Sequence, residues 1–252
     1  RVVFQTKTGP VVGVESLSFC IFPGETVCLV GESGSGKSVS SLALMRLIEY
    51  GGGKIESGRV LFYSDSGEGK NLIGETQYNM RKIRGNEIGM VFQEPMTALN
   101  PVFTISRQLT EGLRIHQGLN KLEAEKEALE LLKKVRIPEP ERRLKQYPHQ
   151  LSGGMRQRIV IAMALACKPK LLIADEPTTA LDVTIQAEIL SLLNRLKKET
   201  GAAVLFITHD MSVVAQIADR VVVMYNGKKV EEGDVNKIFH NPEQEYTKKL
   251  LA

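Results

Sequence analysis

Residues 31–38 read Gly-Glu-Ser-Gly-Ser-Gly-Lys-Ser and match the pattern G-x-x-x-x-G-K-[ST] at every fixed position. Glycines let the backbone fold around an anion with no Cβ in the way. Successive N–H groups and the start of the following helix can then bind phosphate oxygens. An apolar run at residues 27–30 predicts a buried strand before the loop, and residues 39–48 predict a helix after it. This context favours a phosphate loop over a glycine-rich turn with a chance lysine.

Two side chains of this loop carry predicted chemistry. Lys37 can reach the outer phosphates of a nucleotide as a point charge. The hydroxyl of Ser38 can bind Mg²⁺, which prefers oxygen ligands. The loop therefore predicts a site for a nucleoside triphosphate and its magnesium ion.

The composition describes an ordinary globular chain of 252 residues, with 42% hydrophobic and 25% charged residues. The net charge of +4 comes from 33 basic and 29 acidic residues without a basic block, which argues against nucleic acid as a partner. No apolar run approaches the roughly 20 residues that span a bilayer, so a membrane role needs a separate partner.

The three cysteines are scattered among apolar residues, which favours buried thiols over a disulfide or metal site. No signal peptide opens the chain, so we expect the cytoplasm, and the first residue, Arg1, suggests missing residues upstream.

Hydrophobic patterning predicts an α/β chain with a helical insertion between about residues 103 and 170. Besides the strand at 27–30, the predicted strands are 2–4, 17–22, 60–62, 88–92, 171–174, 204–207, 221–224 and 228–230. The pattern predicts a surface loop at 65–74, helices within 104–135 and at 156–167, and a further helix that starts at Asp182 and ends at Gly201.

Two carboxylates follow the buried strand at 171–174, where α/β sheets place their ligands. Asp175 suits a water-mediated contact to Mg²⁺, and Glu176 suits a base that polarises an attacking water. His209 also follows a strand. A solvated strand end is the alternative interpretation for the two carboxylates, and an ordinary core or surface histidine is the alternative for His209.

Three other residues have two interpretations each. Phe4 can be a core residue or can stack on a nucleotide base, and its surrounding sequence favours the core. Gln93 can be a strand-end cap or a functional group at the start of a loop. Ser152, before Gly153 and Gly154, can cap a helix or form a second anion site, and the cap is favoured when it is considered alone.

Taken together, these motifs resemble the nucleotide-binding subunits of ATP-binding cassette (ABC) transporters over essentially the whole chain. The matches are residues 31–38 (Walker A), Gln93 (Q-loop), 151–155 (signature), 171–176 (Walker B with the catalytic glutamate), 179–182 (D-loop) and His209 (switch). The signature departs at one position, where Met155 replaces the usual glutamine, while the serine and both glycines are kept.

Three stretches resemble the peptide and nickel importer branch of this family: QEPMTALNP at 93–101, YPHQLSGGMRQR at 147–158 and NPEQEYT at 241–247. Residues 39–48 and 135–139 are most similar to the N-terminal cassette of the glutathione importers. The resemblance therefore implies import of di- or oligopeptides or glutathione, with nickel or sugar import by the same branch as the alternative. A non-transport ABC ATPase is the main rival, but it implies coiled coils or a charged linker that this sequence lacks. A soluble metabolic kinase is a second rival, and it would not need the motif at 151–155.

The resemblance implies a single domain with a P-loop NTPase core, namely a mixed sheet with flanking helices and an N-terminal antiparallel part. Residues 1–93 and 169–252 would form this nucleotide-binding core, and 94–168 a helical subdomain with the signature. The implied catalytic residues are Glu176, His209, Gln93 and Lys37. The implied magnesium ligands are Ser38, Gln93 and Asp175. The implied ATP-binding residues are Phe4 (now as the residue that stacks on adenine), Gly31, Glu32, Ser33, Gly34, Ser35, Gly36, Lys37, Ser38, Val39, Ser152, Gly153, Gly154 and Asp182.

The resemblance also implies a mechanism and partners. Two cassettes, as a homodimer, a heterodimer or two halves of a tandem protein, would face head to tail and bind ATP between one Walker A loop and the opposing signature. ATP would close the dimer and its hydrolysis would open it, and the Q-loop would pass this motion to two transmembrane permease subunits. A substrate-binding protein outside the cytoplasm would deliver the cargo. The implied location is peripheral, on the cytoplasmic face of the inner membrane.

Overall fold

The computed structural model describes residues 1–63, 67–93, 98–179 and 182–251. The chain divides into two compact units. We call Arg1–Arg81 with Leu205–Ala252 the phosphate-loop unit, and Lys82–Val204 the signature unit. The predicted boundaries of the helical subdomain stay a prediction.

The strands of the described residues are β1 (Val2–Thr6), β2 (Gly9–Val14), β3 (Thr26–Val30), β4 (Gly53–Ile55), β5 (Leu61–Tyr63), β6 (Gly69–Asn71), β7 (Ile88–Val91), β8 (Leu171–Asp175), β9 (Ala203–Thr208), β10 (Arg220–Tyr225) and β11 (Lys228–Asp234). The helices are α1 (Lys37–Leu44), α2 (Gln77–Ile83), α3 (Ile105–Gln117), α4 (Lys121–Lys134), α5 (Pro140–Leu144), α6 (Gly153–Leu165), α7 (Val183–Thr200), α8 (Met211–Ile217), α9 (Val235–His240) and α10 (Glu245–Leu251). Among these residues, no helix combines the length and the apolar character that crossing a bilayer requires.

The phosphate-loop unit contains an antiparallel sheet and part of a mixed one. The antiparallel sheet has the order β2-β1-β4. In the mixed sheet, β10 pairs in parallel with β3 and antiparallel with β11, and residues 205–208 of β9 lie on the other side of β3. Every residue of β3 is buried, which is typical of a central parallel strand covered on both faces. The strand that leads into the phosphate loop is therefore fixed along its whole length.

The signature unit combines the parallel pair β7 and β8 with helices α3 to α7. Strand β7 packs closely against α6, because a Cβ on Gly89 would lie 2.2 Å from the carbonyl oxygen of Ala164. The predicted helical stretch at 104–135 is two helices. The first, α3, ends at Gly118 in the left-handed conformation, and Asn120 starts α4 with a capping box to Glu123.

The prediction of buried thiols is confirmed for Cys28 and Cys167 but is wrong for Cys20, which is exposed.

Two predictions of secondary structure are also wrong. Residues 17–22 do not form a strand. Instead, their carbonyls accept side-chain bonds, for example Ser18 from the Lys229 ammonium at 2.6 Å, while β2 lies upstream at Gly9–Val14. The described part of the predicted loop at 65–74 contains β6, which pairs with β5 as a hairpin. Bonds from distant side chains override the local pattern in the first stretch, and pairing with β5 overrides it in the second.

Candidate functional site

The phosphate loop lies between β3 and α1 in a conformation that requires glycine. Gly31, Gly34 and Gly36 have φ angles of +150°, +81° and +100°. A Cβ on Gly31 would lie 2.2 Å from the carbonyl oxygen of Met224, and one on Gly36 would lie 2.5 Å from that of Gly13. The glycines at 31 and 36 therefore permit a close approach of backbones as well as a positive φ.

Lys37 is buried, and its ammonium turns back onto the loop. The Nζ atom donates to the carbonyl oxygens of Gly31 at 2.7 Å and Glu32 at 2.9 Å. Both acceptors are neutral, so phosphate oxygens can replace them with a gain in charge-assisted hydrogen bonding. The side chain is therefore already held within the loop that it is predicted to serve.

Two features of the loop fit a bound anion. The hydroxyl oxygen of Ser35 is buried and has no hydrogen-bond partner among the described residues, which is unusual for a buried polar atom. Gly36 is the N-cap residue of α1 and offers no side-chain cap, so the start of this helix is open to an external acceptor. A phosphate group bound here would give the Ser35 hydroxyl a hydrogen-bond partner and would accept from the N–H groups at the start of α1.

The other predicted residues of the loop differ in exposure: Glu32, Ser33 and Gly34 are exposed, while Ser38 and Val39 at the start of α1 are half-buried.

Phe4 is half-buried on β1. It packs against the cluster formed by Val2, Val14, Ala43 and Ile48. Its ring also occupies space beside two glycines, because a Cβ on Gly13 or Gly53 would come within 2.9 or 2.7 Å of it. This packing matches the interpretation of Phe4 as a core residue, and its contact with adenine stays a prediction.

His209 is exposed and lies just after β9, between two anchored neighbours. The N–H of Asp210 donates to the Thr208 hydroxyl at 3.0 Å. The Asp210 carboxylate then caps α8 by accepting from the N–H of Ser212 at 2.9 Å. The backbone on the C-terminal side of His209 is thereby fixed.

In the signature unit, the two predicted carboxylates have different environments. Asp175 is the last residue of β8 and is buried. Glu176 is half-buried and has a φ of +45°, an uncommon conformation for a residue with a side chain. Its Oε2 atom accepts from the Gln93 amide at 3.2 Å and from the Thr179 hydroxyl at 2.9 Å. The structure thus brings Gln93 and Glu176 together.

The signature residues and Asp182 lie at the starts of two touching helices. Ser152 caps α6 by accepting from the N–H of Met155 at 3.4 Å, and Asp182 caps α7 by accepting from the N–H of Ile185 at 2.9 Å. Ser152, Gly153 and Asp182 are exposed. Gly154 is buried, and a Cβ there would lie 3.2 Å from the Ile185 side chain. The cap interpretation of Ser152 is confirmed, and its anion contact stays a prediction.

Some predicted features lie outside the described residues. Residues 180–181 of the D-loop motif and residues 94–97 after Gln93 belong to this group. Among the described residues, no group of three or more His, Cys, Asp or Glu side chains is arranged to hold a metal ion. A magnesium ion bound with nucleotide phosphates needs no such group, because the protein often supplies only one or two of its ligands.

Sequence reasoning missed several residues that support the site. Thr179 binds Glu176, and Tyr246 accepts a hydrogen bond from the N–H of Glu32 in the phosphate loop at 3.0 Å. The buried Gln157 of α6 donates through its Nε2 to the carbonyl oxygen of Pro177, two residues before Thr179. Thr179 lies within a recognised motif, whereas no local pattern indicates the bond between Tyr246 and Glu32.

The comparisons with known proteins agree on one family. The sequence pattern of the family described as ABC transporter matches residues 14–179. A protein of Brucella melitensis, named as an ATP-binding protein of peptide import, is 56% identical over 251 residues, which cover 100% of this chain and 74% of the relative. The glutathione import ATP-binding protein GsiA of Escherichia coli strain K12 is 55% identical over 252 residues, which cover 100% of this chain but 40% of that protein.

Solved structures agree as well. The ATP-binding cassette MJ0796, in a dimeric post-hydrolysis state bound to ADP and phosphate, superposes with a TM-score of 0.79. It is 31% identical in sequence, and the match covers 92% of this chain and 95% of that one.

Proposed function

Because the chain belongs to the ABC transporter family, we propose that it is the ATP-hydrolysing subunit of an importer for peptides, including dipeptides, oligopeptides or glutathione. The observation that carries the ATPase part is the phosphate loop. Its lysine is held by neutral carbonyls, and its buried Ser35 hydroxyl lacks a partner among the described residues. The cargo class is supported by the names of relatives that are 55–56% identical to this chain.

Within the phosphate-loop unit, residues 31–39 bind the phosphates of ATP. Lys37 exchanges the carbonyl oxygens of Gly31 and Glu32 for phosphate oxygens, and a phosphate oxygen becomes the hydrogen-bond partner of the Ser35 hydroxyl. The backbone N–H groups of the loop and of the first turn of α1 add donors. Phe4 stacks on adenine in this proposal, although the observed packing uses its ring as a core group.

Ser38, Gln93 and Asp175 are the proposed magnesium ligands, directly or through water. A hydroxyl, an amide and a carboxylate all offer the hard oxygen atoms that this ion prefers. When bound, Mg²⁺ neutralises part of the phosphate charge that builds up during transfer.

Glu176 is the proposed general base. The bonds from Gln93 and Thr179 fix the direction of its carboxylate, and its left-handed backbone is the kind of strain that persists at functional sites. His209, whose neighbour Asp210 is anchored on both sides, helps to orient the attacking water.

The exposed Ser152 and Gly153, with Gly154 behind them, bind ATP on a second cassette, and Asp182 connects the two sites. Closure of the pair then depends on the γ-phosphate, since this group is bound from both sides only in the closed state. The dimeric cassette MJ0796 supports this arrangement by analogy. The second cassette is an identical chain, a different chain or the other half of a tandem protein.

The remaining partners are two transmembrane permease subunits and an extracytoplasmic substrate-binding protein. The chain would work as a peripheral subunit on the cytoplasmic face of the inner membrane, without nucleic acid as a partner. Gln93 and the loop after it would carry the motion of the cassettes to the permeases.

Nucleotide titration and uptake test this proposal. Lys37→Ala should weaken MgATP binding at least about tenfold, because a hydrogen bond to a charged group contributes about 1.5–3 kcal/mol. Lys54→Ala, which removes an exposed lysine of β4, is the matched control. Unchanged binding by Lys37→Ala would contradict the loop assignment. Cells with the chain, its permeases and its binding protein should take up labelled dipeptide or glutathione, and uptake of neither would contradict the cargo.

A further inference from the structure

The C-terminal helix α10 contacts the phosphate loop through one hydroxyl. The N–H of Glu32 donates a 3.0 Å hydrogen bond to the hydroxyl oxygen of Tyr246, 214 positions along the chain. Burial raises the pKa of the Tyr246 phenol, so the hydroxyl is neutral near pH 7 and accepts this bond in the ordinary way. Helix α10 is therefore hydrogen-bonded to the second residue of the phosphate loop.

The same peptide group is also held by the loop lysine. The N–H of Glu32 and the carbonyl of Gly31 belong to one peptide unit, and in a trans peptide these two groups point in opposite directions. The Gly31 carbonyl accepts from Lys37 Nζ at 2.7 Å. Tyr246 and Lys37 thus bind opposite sides of the Gly31–Glu32 peptide group and together fix its orientation.

The Tyr246 ring has its own support. It lies against the ring of Tyr225, with 4.3 Å between centroids and 38° between planes. Tyr225 ends β10, directly after Met224, whose carbonyl lies against Gly31. Two residues further on, the N–H of Gly227 donates to the carbonyl of Ser35 at 2.9 Å. The β10–β11 hairpin therefore supports both the loop and the tyrosine that binds it.

Helix α10 is anchored to β11 just before Tyr246. The buried carboxylate of Glu231 accepts from the N–H groups of Glu243 at 2.8 Å and Gln244 at 3.1 Å. Thr247, next to Tyr246, is fully buried. The position of the Tyr246 hydroxyl thus follows from the docking of α10 on Glu231.

We propose that Tyr246 is a positioning residue for nucleotide binding, which holds the Gly31–Glu32 peptide in place and makes the affinity for ATP depend on the docking of α10. This inference rests on the proposed function. When Lys37 leaves the Gly31 carbonyl to bind a phosphate, that peptide loses the bond on one edge. The bond to Tyr246 on the other edge keeps the loop in its binding conformation. The loop therefore loses less conformational entropy when ATP binds.

Tyr246→Phe tests the inference, because it removes the hydroxyl and keeps the ring on Tyr225. Hydrogen exchange of the Glu32 amide, followed by NMR without nucleotide, should speed up about two- to tenfold, the range expected for one neutral hydrogen bond. The dissociation constant for MgATP should rise by a similar factor, and KM should rise while kcat is unchanged. The melting temperature of the nucleotide-free protein should stay near that of the wild type.

Tyr225→Phe is the matched control, since it removes a hydroxyl from a residue that is 42% exposed and keeps the ring against Tyr246, and it should leave both measurements unchanged. Glu231→Gln is a second variant that keeps the Tyr246 hydroxyl but weakens the anchor of α10, and it should change exchange and affinity in the same direction as Tyr246→Phe.

The outcomes separate this inference from the proposed function. If the wild type binds MgATP and Tyr246→Phe matches it in both exchange and affinity, the positioning role is overturned and the ATPase proposal stands. If Tyr246→Phe lowers the melting temperature without a change in exchange or affinity, the residue is structural only and the inference is again wrong. Failure of the wild type to bind MgATP would overturn the proposed function and, with it, this inference.

Discussion

The side-chain amide of Gln93 donates a 3.2 Å hydrogen bond to the Glu176 carboxylate, which links the ends of two adjacent parallel strands, β7 and β8. The Thr179 hydroxyl donates to the same oxygen at 2.9 Å. Because Gln93 is exposed and begins the proposed connection to the permeases, a movement of this residue would alter the support of the proposed base. Under the proposed function, this contact would connect the loop that meets the permeases directly to the general base.

Glu176→Gln should abolish turnover and keep nucleotide binding. A general base contributes about 10²- to 10⁴-fold to a rate, so ATP hydrolysis should fall at least about 100-fold. The amide is similar in shape to the carboxylate, so the dissociation constant for MgATP should change less than about twofold. Single-turnover hydrolysis and nucleotide titration measure the two effects. Glu199→Gln, at the end of α7, is the control, and unimpaired hydrolysis by Glu176→Gln would refute the assigned role.

Ser152→Arg should block hydrolysis while the monomer still binds ATP. The exposed cap of α6 would carry a bulky cation where the second cassette is proposed to present its nucleotide. Loss of the cap also costs about 1 kcal/mol of stability, so the melting temperature should be recorded beside the ATPase rate. Ser152→Thr keeps a capping hydroxyl and should retain most activity. Normal ATPase activity of Ser152→Arg would exclude the shared site.

Gly31→Ala should destabilise the protein, and Gly51→Ala should not. A methyl group at position 31 meets the Met224 carbonyl and an unfavourable φ, whereas a Cβ at position 51 meets nothing within 4 Å. We expect Gly31→Ala to lower the free energy of unfolding by about 1–3 kcal/mol or more, and Gly51→Ala to change it by less than about 0.5 kcal/mol. Denaturant titration followed by circular dichroism compares the two variants. Equal stability would contradict the close approach of Gly31 to β10.

Glu231 should stabilise the protein near neutral pH and lose this effect in acid. Burial alone would raise the pKa of Glu231, but the N–H groups of Glu243 and Gln244 and the nearby Lys237 lower it overall from the ordinary value of 4.5. A carboxyl with a lowered folded-state pKa stabilises above its unfolded value and loses this contribution as the pH falls through the folded value.

The difference in unfolding free energy between wild type and Glu231→Gln should therefore be about 1 kcal/mol at pH 7 and should shrink below pH 4.5. Glu111→Gln on α3 removes an exposed carboxylate and serves as the control. A difference that does not vary with pH would show that the charge of Glu231 is irrelevant to the docking of α10.

Local patterns predicted the parts of the fold that local physics determines. Strands β3 and β8 are continuous apolar runs, so their positions could be read to within a residue. Asp182 was predicted to start a helix, and its carboxylate does cap α7. Strand β2 was missed because Gly9 and Pro10 weaken its pattern, and its pairing with β1 supplies what the local sequence does not.

In the candidate site, too, some residues could be predicted from short motifs and others could not. Short motifs predicted the residues of the phosphate loop, of the signature and of the acidic strand end. Each of these motifs is a contiguous stretch of sequence, so it can be recognised without knowledge of the fold. The contact of Tyr246 with Glu32 joins residues 214 positions apart, and although each lies in a stretch with a recognisable pattern, neither pattern indicates that the two touch. Such a support can be recognised only once the strands have brought the two ends of the chain together.

The close approach of Gly154 to Ile185 has a mechanical consequence. A Cβ on Gly154 would lie 3.2 Å from the Ile185 side chain, so the first turns of α6 and α7 are closely packed there, and close-packed interiors transmit strain. We therefore expect a displacement at the start of α6, which carries Ser152, to be passed on to the start of α7, which carries Asp182.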